Sequence, residues 1–428
     1  MNYDFDLTEE KLLECINQNK LQRISKINNL LKLINILKRN TIISIDGDWG
    51  CGKTVFVKQI ELINKLYLNN KINLISNQNL NNDIIKEFND KHFIYYYNAW
   101  ENDNHIDPLN SIIYKIINDF PREKAQTADG NIQIPLNFKA FMKTISKDLF
   151  DIDKVQSYDD LVKNIHTIEE QKKALNVLLD SIIPNGKKII IIIDELDRCN
   201  PNYAVKVIET IKHFFDNKNL IFLVVSNNEQ LAHTVSKFYG EKFDGYGYLN
   251  KIYDLIISLE NVDVNKYLNN VLLIYNDSSY ISVMIRELCN YYSFSMRQIN
   301  RYLYTMDLLN DYFDSYDSFG NDLVLKYIFI PYCLALKINS GEKFNKFISG
   351  RDIEEFILVM KSKKEIQSII NRIKENDNVY KDKEIDDENY IRSIYDKYLN
   401  KNDTDYNIDT KKQKFLDIIS MISNFSSI

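Results

Sequence analysis

Eight consecutive residues carry the strongest chemical signal in this sequence: Gly47-Asp48-Trp49-Gly50-Cys51-Gly52-Lys53-Thr54. The glycines let a backbone fold tightly and turn its N–H groups inward, where they can cradle phosphate oxygens. Lys53 has the reach to contact the β- and γ-phosphates of a nucleoside triphosphate, which also makes it a catalytic candidate. The Thr54 hydroxyl is suited to ligate magnesium. The run fits G-x-x-x-x-G-K-[ST] in full, so Gly47–Thr54 is the expected phosphate-binding loop. Cys51 reads as a small filler that contributes its backbone N–H. A redox role for its thiol is the minority reading.

Hydrolysis needs a second anchor for magnesium and a base for the attacking water. Lys188 is followed by five isoleucines, Ile189–Ile193, and then by Asp194 and Glu195. That run brings both acids to the C-terminal end of a strand, where open α/β sheets place their ligands. Asp194 is the expected magnesium-side carboxylate, acting directly or through water. Glu195 is expected to polarise the attacking water, and Asp197 is placed to share that task. Ser226 and Asn227 follow another apolar run. They either contact the γ-phosphate or the water, or cap the next helix. Asn227 is the better sensor candidate, because its amide both donates and accepts.

These side chains need a scaffold. Thr41–Ile45 reads as a strand running into Gly47, and Val55–Leu66 as a helix leaving Thr54, which is the context a phosphate loop requires. Phe93–Tyr97, Ile189–Ile193, Leu220–Val225 and Ile252–Leu259 read as further strands. The isoleucine run fits a central strand covered on both faces. Strands alternating with helices predict an α/β fold with a doubly wound, mostly parallel five-stranded sheet flanked by helices. Upstream, Leu21, Ile24, Ile27, Leu30, Leu31, Ile34 and Leu37 make one apolar stripe, and the spacing predicts helix over residues 8–39. The expected organisation is an N-terminal helical segment, 1–40, then a nucleotide core, 41–260, with a helical insertion at about 101–185. A C-terminal helical domain, 261–428, follows. A loop is expected between Pro121 and Pro135, and the polar stretch 373–412 is expected to be loosely ordered.

Composition sets limits on function. The chain has 428 residues, of which 45% are hydrophobic and 27% charged, so globular order is the default. A net charge of −6 excludes a generally basic nucleic-acid binder and leaves only a local basic groove. Lys361, Lys363 and Lys364 are the run to inspect for one, with a solvated helix face as the favoured reading. Five cysteines without a CxxC pair argue against a disulfide framework or a zinc site. The start of the chain lacks an apolar signal core, and no run of about 18 apolar residues occurs. No membrane span is therefore expected, and the expected location is cytoplasmic.

Taken together, these motifs resemble the KAP family of P-loop NTPases. The loop has that family's G-D-W-G-x-G-K-[ST] form. Asn98-Ala99-Trp100-Glu101 with Asp107-Pro108-Leu109 is similar to its segment after the second strand, and Asp194-Glu195-Leu196-Asp197-Arg198-Cys199 to its D-[DE]-L-D-R-C signature. Tyr248–Ile252 resembles the approach to its fifth strand. The likeness covers roughly residues 20–305. It implies a sheet of order 5-1-4-3-2, and ATP with magnesium as the ligands. Two departures stand out. The transmembrane helices that many relatives insert between the two nucleotide motifs are missing. The Pro-Arg pair of the following helical segment is replaced by Ser295-Met296-Arg297.

Arg297 is accordingly a candidate γ-phosphate sensor, with a surface salt bridge as the alternative. Arg198 is either an arginine finger toward a neighbouring copy, which would require a homo-oligomer, or a structural partner of Asp197. Trp100 is expected to pack in the core rather than to carry adenine. The resemblance implies a nucleotide-driven switch that acts through a protein partner or effector in bacterial anti-phage defence. The competing readings are a nucleic-acid-dependent ATPase and a nucleotide-binding scaffold with negligible turnover.

Overall fold

A computed structural model describes residues 7–119, 169–272, 280–315, 323–399 and 406–424, apart from 106, 171, 181–182, 184–185, 215, 378 and 381–383. The expected loop between Pro121 and Pro135, and most of the expected helical insertion, lie outside the described residues. The chain divides into two compact units, residues 7–261 and 262–428.

In the first unit the apolar runs form five parallel strands: β1 (Thr41–Asp46), β2 (His92–Asn98), β3 (Lys188–Asp194), β4 (Leu220–Ser226) and β5 (Leu255–Ser258). Their order is β2-β3-β4-β1-β5, the order 5-1-4-3-2 that the resemblance implied. All five isoleucines of β3 are buried, as a strand with helices on both sides requires. The register decides where chemistry can happen. Asn98 pairs with Asp194, Asp194 with Val225, Asp46 with both Ser226 and Ser258. The C-terminal residues of all five strands therefore share one edge of the sheet.

Helices α1 (Glu9–Asn17), α2 (Ile24–Ile36), α3 (Lys53–Leu68), α4 (Asn82–Lys91) and α5 (Pro108–Asp119) accompany this sheet, with later helices at Pro201–Phe214, Asn228–Tyr239 and Gly245–Ile252. The single helix predicted over 8–39 is two helices. Asn19 and Gln22 adopt left-handed backbone angles (φ 49° and 55°), and the Asn19 carboxamide oxygen accepts the Ile24 N–H at 3.3 Å. The apolar stripe could not reveal the break, because both helices bury the same kind of face: Leu12, Cys15 and Ile16, then Ile27, Leu30, Leu31 and Ile34. The predicted strand over Ile252–Leu259 is shorter, because Gly245–Ile252 is helical. Asp244 caps that helix by accepting the Gly247 N–H at 2.8 Å. Gly245 permits a close approach to the preceding helix: a Cβ there would sit 2.1 Å from the Ala232 carbonyl oxygen.

The second unit is helical among the described residues. Its core is aromatic. The Phe329 ring lies 5.4 Å from Phe356 and 5.2 Å from both Tyr398 and Phe415, and Tyr332 packs on Phe347 and Phe356. Pro331 has no N–H for helical pairing, and a π-type turn at Leu325–Phe329 precedes it. The polar stretch expected to be loosely ordered contains the helix Asp387–Leu399, whose Tyr390, Ile391, Ile394 and Tyr395 are buried. Periodic burial of a few apolar residues outweighs the average polarity there.

Candidate nucleotide site

The phosphate loop leaves β1 and turns into α3 as the sequence requires. Gly50 and Gly52 take φ of 84° and 91°, backbone that L side chains rarely adopt. Gly47 is needed for a different reason. A Cβ there would lie 2.6 Å from the Leu259 carbonyl oxygen and 2.8 Å from Cys51 Sγ. Lys53 folds back over the loop and donates to the carbonyl oxygens of Gly47 (2.6 Å) and Asp48 (3.0 Å). Cys51 is buried, and burial pushes its thiol up, against a reactive thiolate.

A side chain that sequence reasoning missed braces this loop from behind. Arg23, at the N-terminus of α2, is buried (5% exposed) and donates from Nη2 to the carbonyl oxygens of Cys51 (3.3 Å) and Glu260. Burial lowers its pKa from the ordinary arginine value. Lys26, one turn on, donates to the Ser258 carbonyl oxygen (3.1 Å) and pairs with the Glu260 carboxylate (2.9 Å). The loop and the end of β5 thus share a cationic backing from α2. No motif marks Arg23 in the sequence, since its partners are main-chain carbonyls.

Asp194 ends β3 beneath the start of α3 and is almost completely buried. Tyr96 donates its hydroxyl to Oδ2 at 2.9 Å, and the Glu195 N–H donates to Oδ1 at 2.8 Å. Burial raises the Asp194 pKa, opposed by hydrogen bonds from Tyr96, Thr54 and the Glu195 N–H. Burial, then the neighbouring Asp194 charge, raises that of Tyr96. Tyr96 is itself covered by the Lys58 ammonium, 3.1 Å from its ring centre.

Glu195 takes a left-handed backbone conformation (φ 60°, ψ 29°). Thr54 Oγ1 donates to its Oε1 at 3.4 Å, and its Oε2 forms an ion pair with Arg198 Nε. Arg198, read from sequence as a finger or a partner of Asp197, thus pairs with Glu195, and its guanidinium lies 5.3 Å over the Trp100 ring. Trp100 is 49% exposed, so the expectation of core packing does not hold. It sits there because Asn98 turns the chain sharply: its Oδ1 accepts the N–H groups of Trp100 (3.1 Å) and Glu101 (3.3 Å), while the Ala99 N–H donates to the Asp194 carbonyl. The Cys199 thiol points to the Glu195 carbonyl oxygen at 3.6 Å and is shifted up by burial.

At the end of β4, Asn227 caps the helix Asn228–Tyr239 by accepting the Gln230 N–H at 3.1 Å. Its neighbour Asn228 is the structural member of the pair. The buried Asn228 amide meets Ser44 Oγ (2.9 Å) and Ser226 Oγ (3.0 Å), and its backbone N–H donates to Asp46 Oδ1 at 2.9 Å. Ser226, one of the two candidate phosphate contacts, is thereby committed to holding β4 beside β1. Asp197 Oδ2 accepts the Trp49 indole N–H (2.6 Å) and the Asn227 N–H (3.2 Å). Arg297 stands exposed on the helix Met296–Ser315 of the second unit. Lys361 pairs with Glu388 at 2.8 Å, as a solvated helix face would.

A family model described as the KAP family P-loop domain matches residues 23–313, more than half of the chain. The chain belongs to the KAP family. This KAP protein resembles two solved structures of Drosophila ORC with Cdc6, one bound to poly(dA/dT) DNA and one to GC-rich DNA. The identities are 9% and 10%, the TM-scores 0.36 and 0.35, and each match covers 99% of this chain and 54% of the other. The KAP chain spans about half the length of those structures. No curated protein matches it. No helix among the described residues is long and apolar enough to cross a membrane.

Proposed function

We propose that this KAP protein is a magnesium-dependent ATPase in which nucleotide state switches the protein between conformations. One observation carries the reading: Thr54 of the phosphate loop lies within hydrogen-bond reach of Glu195, and Asp194 is buried beside them at the C-terminal edge of the sheet. The residues fit the ligands. Gly47–Thr54 provides a tight, glycine-shaped cradle, and the buried Asp194 carboxylate is the kind of group a cation stabilises. Thr54 and Asp194 would hold magnesium, which supplies charge neutralisation at the phosphates when bound.

The remaining steps belong to side chains. Lys53 is satisfied by two neutral carbonyls, and phosphate oxygens offer it charged acceptors instead. Glu195 is neutralised by Arg198. For Glu195 to polarise a water, Arg198 has to leave it, and an incoming γ-phosphate competes for the guanidinium. Asn227 spends its oxygen on the helix cap, so its amide nitrogen is the part that would meet the γ-phosphate or water. Arg297 is proposed as the second unit's sensor. The domain plan, an NTPase core followed by a helical responder, and action on a protein effector in anti-phage defence rest on the family resemblance.

Turnover of ATP by the purified protein, with Lys53→Ala and Glu195→Gln alongside, tests the reading. Hydrolysis lost in both variants, with Glu195→Gln still binding nucleotide, supports it. Binding without turnover in the wild type, even with candidate activators, favours the scaffold. Turnover that rises on adding DNA or RNA favours the nucleic-acid-dependent alternative.

A further inference from the structure

Three motifs that the sequence presents separately meet at one oxygen atom. Trp49 belongs to the phosphate loop, Asp197 to the loop after β3, and Asn227 to the end of β4. Asp197 Oδ2 accepts from the Trp49 indole at 2.6 Å and from the Asn227 backbone at 3.2 Å. A carboxylate oxygen accepting two N–H donors is well satisfied, and both bonds are charge-assisted. Trp49 is 51% exposed, so its position comes from this hydrogen bond more than from burial. Asn227, in turn, is the N-cap of the next helix, so a bond to its N–H also fixes the start of that helix.

We propose that Asp197 is a positioning residue that couples the phosphate loop to the γ-phosphate-facing end of β4. The two loops then order and loosen together. This deepens the ATPase reading by giving Asp197 a task other than that of a second base. An oxygen held by Trp49 and Asn227 is not the one that takes a proton from water. In this arrangement nucleotide contact at Gly47–Thr54 reaches the Asn227 cap through the Asp197 carboxylate, beside the strand-end bond of Asp46 to the Asn228 N–H.

The coupling is measurable without nucleotide, so its failure is separable from failure of the ATPase reading. Amide hydrogen exchange is followed in residues 47–54 and 226–231 for the wild type, Asp197→Ala, Asp197→Asn and Trp49→Phe, after far-UV circular dichroism has established that each is folded. Trp49→Phe alters the phosphate loop alone. The expected result is exchange about tenfold faster in both segments for Asp197→Ala and Trp49→Phe, with no further increase in the double variant. Asp197→Asn keeps an acceptor oxygen and stays within about threefold of the wild type. Emission of Trp49 in a Trp100→Phe background shifts to the red in Asp197→Ala. Exchange that rises in only one segment overturns the coupling, as does additivity in the double variant. An unchanged Trp49 emission overturns the hydrogen bond itself. Should Asp197→Ala fail to fold, Trp49→Phe decides, since it removes the bond to Asp197 and leaves the Asp46–Asn228 link between the two segments in place.

Discussion

Replacing Arg23 with methionine should loosen the phosphate loop from behind. The substitution keeps most of the side-chain volume and removes both donors to the carbonyl oxygens of Cys51 and Glu260. Hydrogen bonds from a charged group are worth about 1.5–3 kcal/mol each, so the gross loss is about 3–6 kcal/mol. Part of that is returned. Arg23 is 5% exposed, its pKa is lowered by burial, and its Nε meets no acceptor among the described residues. Relief of a buried cation of this kind offsets roughly half the loss, which leaves about 1–3 kcal/mol. For a unit of this size, that corresponds to a melting temperature lower by about 2–10 °C. If half of the lost energy had served to hold the loop ready for phosphate, ATP affinity falls by up to about tenfold. Calorimetric unfolding and ATP titration read the two effects separately. Arg23→Lys should fall between, since its ammonium ends one bond short of the place from which Nη2 reaches both carbonyls. A melting temperature within 1 °C of wild type together with unchanged affinity would refute the bracing role.

Other perturbations test neighbouring parts of the argument. Gly47→Ala should abolish tight ATP binding in titration, because its Cβ meets a main-chain oxygen at 2.6 Å that has no flexible end to yield. Arg198→Ala should lower kcat by about a hundredfold or more while leaving the ATP dissociation constant within a few fold, if the guanidinium moves from Glu195 to the γ-phosphate. Single-turnover kinetics separates the two quantities, and wild-type turnover in this variant rules the transfer out. His92 is held neutral, its pKa lowered by burial from 6.5 to about 4. The unfolded chain therefore binds the extra proton first. Stability is complete above pH 6.5 and declines as pH falls toward 4, by about 3 kcal/mol in all. His92→Gln should flatten the pH dependence of the melting temperature over that window.

Much of the site was visible in the sequence because its residues act through local spacing. The phosphate loop, the Ile189–Ile193 strand and its two acids need only a few neighbours to be recognised, and parallel register then aligns the strand ends. Residues that act across the fold were hidden. Arg23 holds carbonyls 28 and 237 positions away, so no spacing rule can find it. Tyr96 looked like one more aromatic strand residue, yet it donates to Asp194. Asn228 belongs to no motif, yet it joins β1 to β4 through two buried hydroxyls. The break between α1 and α2 was invisible for another reason. Hydrophobic periodicity reports which face is buried, and that face is buried on both sides of the break.

The left-handed backbone at Glu195 has a consequence for anyone selecting variants of this protein. Outside glycine and asparagine, that conformation costs on the order of 1 kcal/mol or more. A library screened only for heat resistance should therefore enrich glycine or asparagine at position 195 and, if Glu195 serves the proposed ATPase, with them proteins that persist longer and no longer turn over. Under the proposed ATPase, selection for durability and selection for work pull this position in opposite directions.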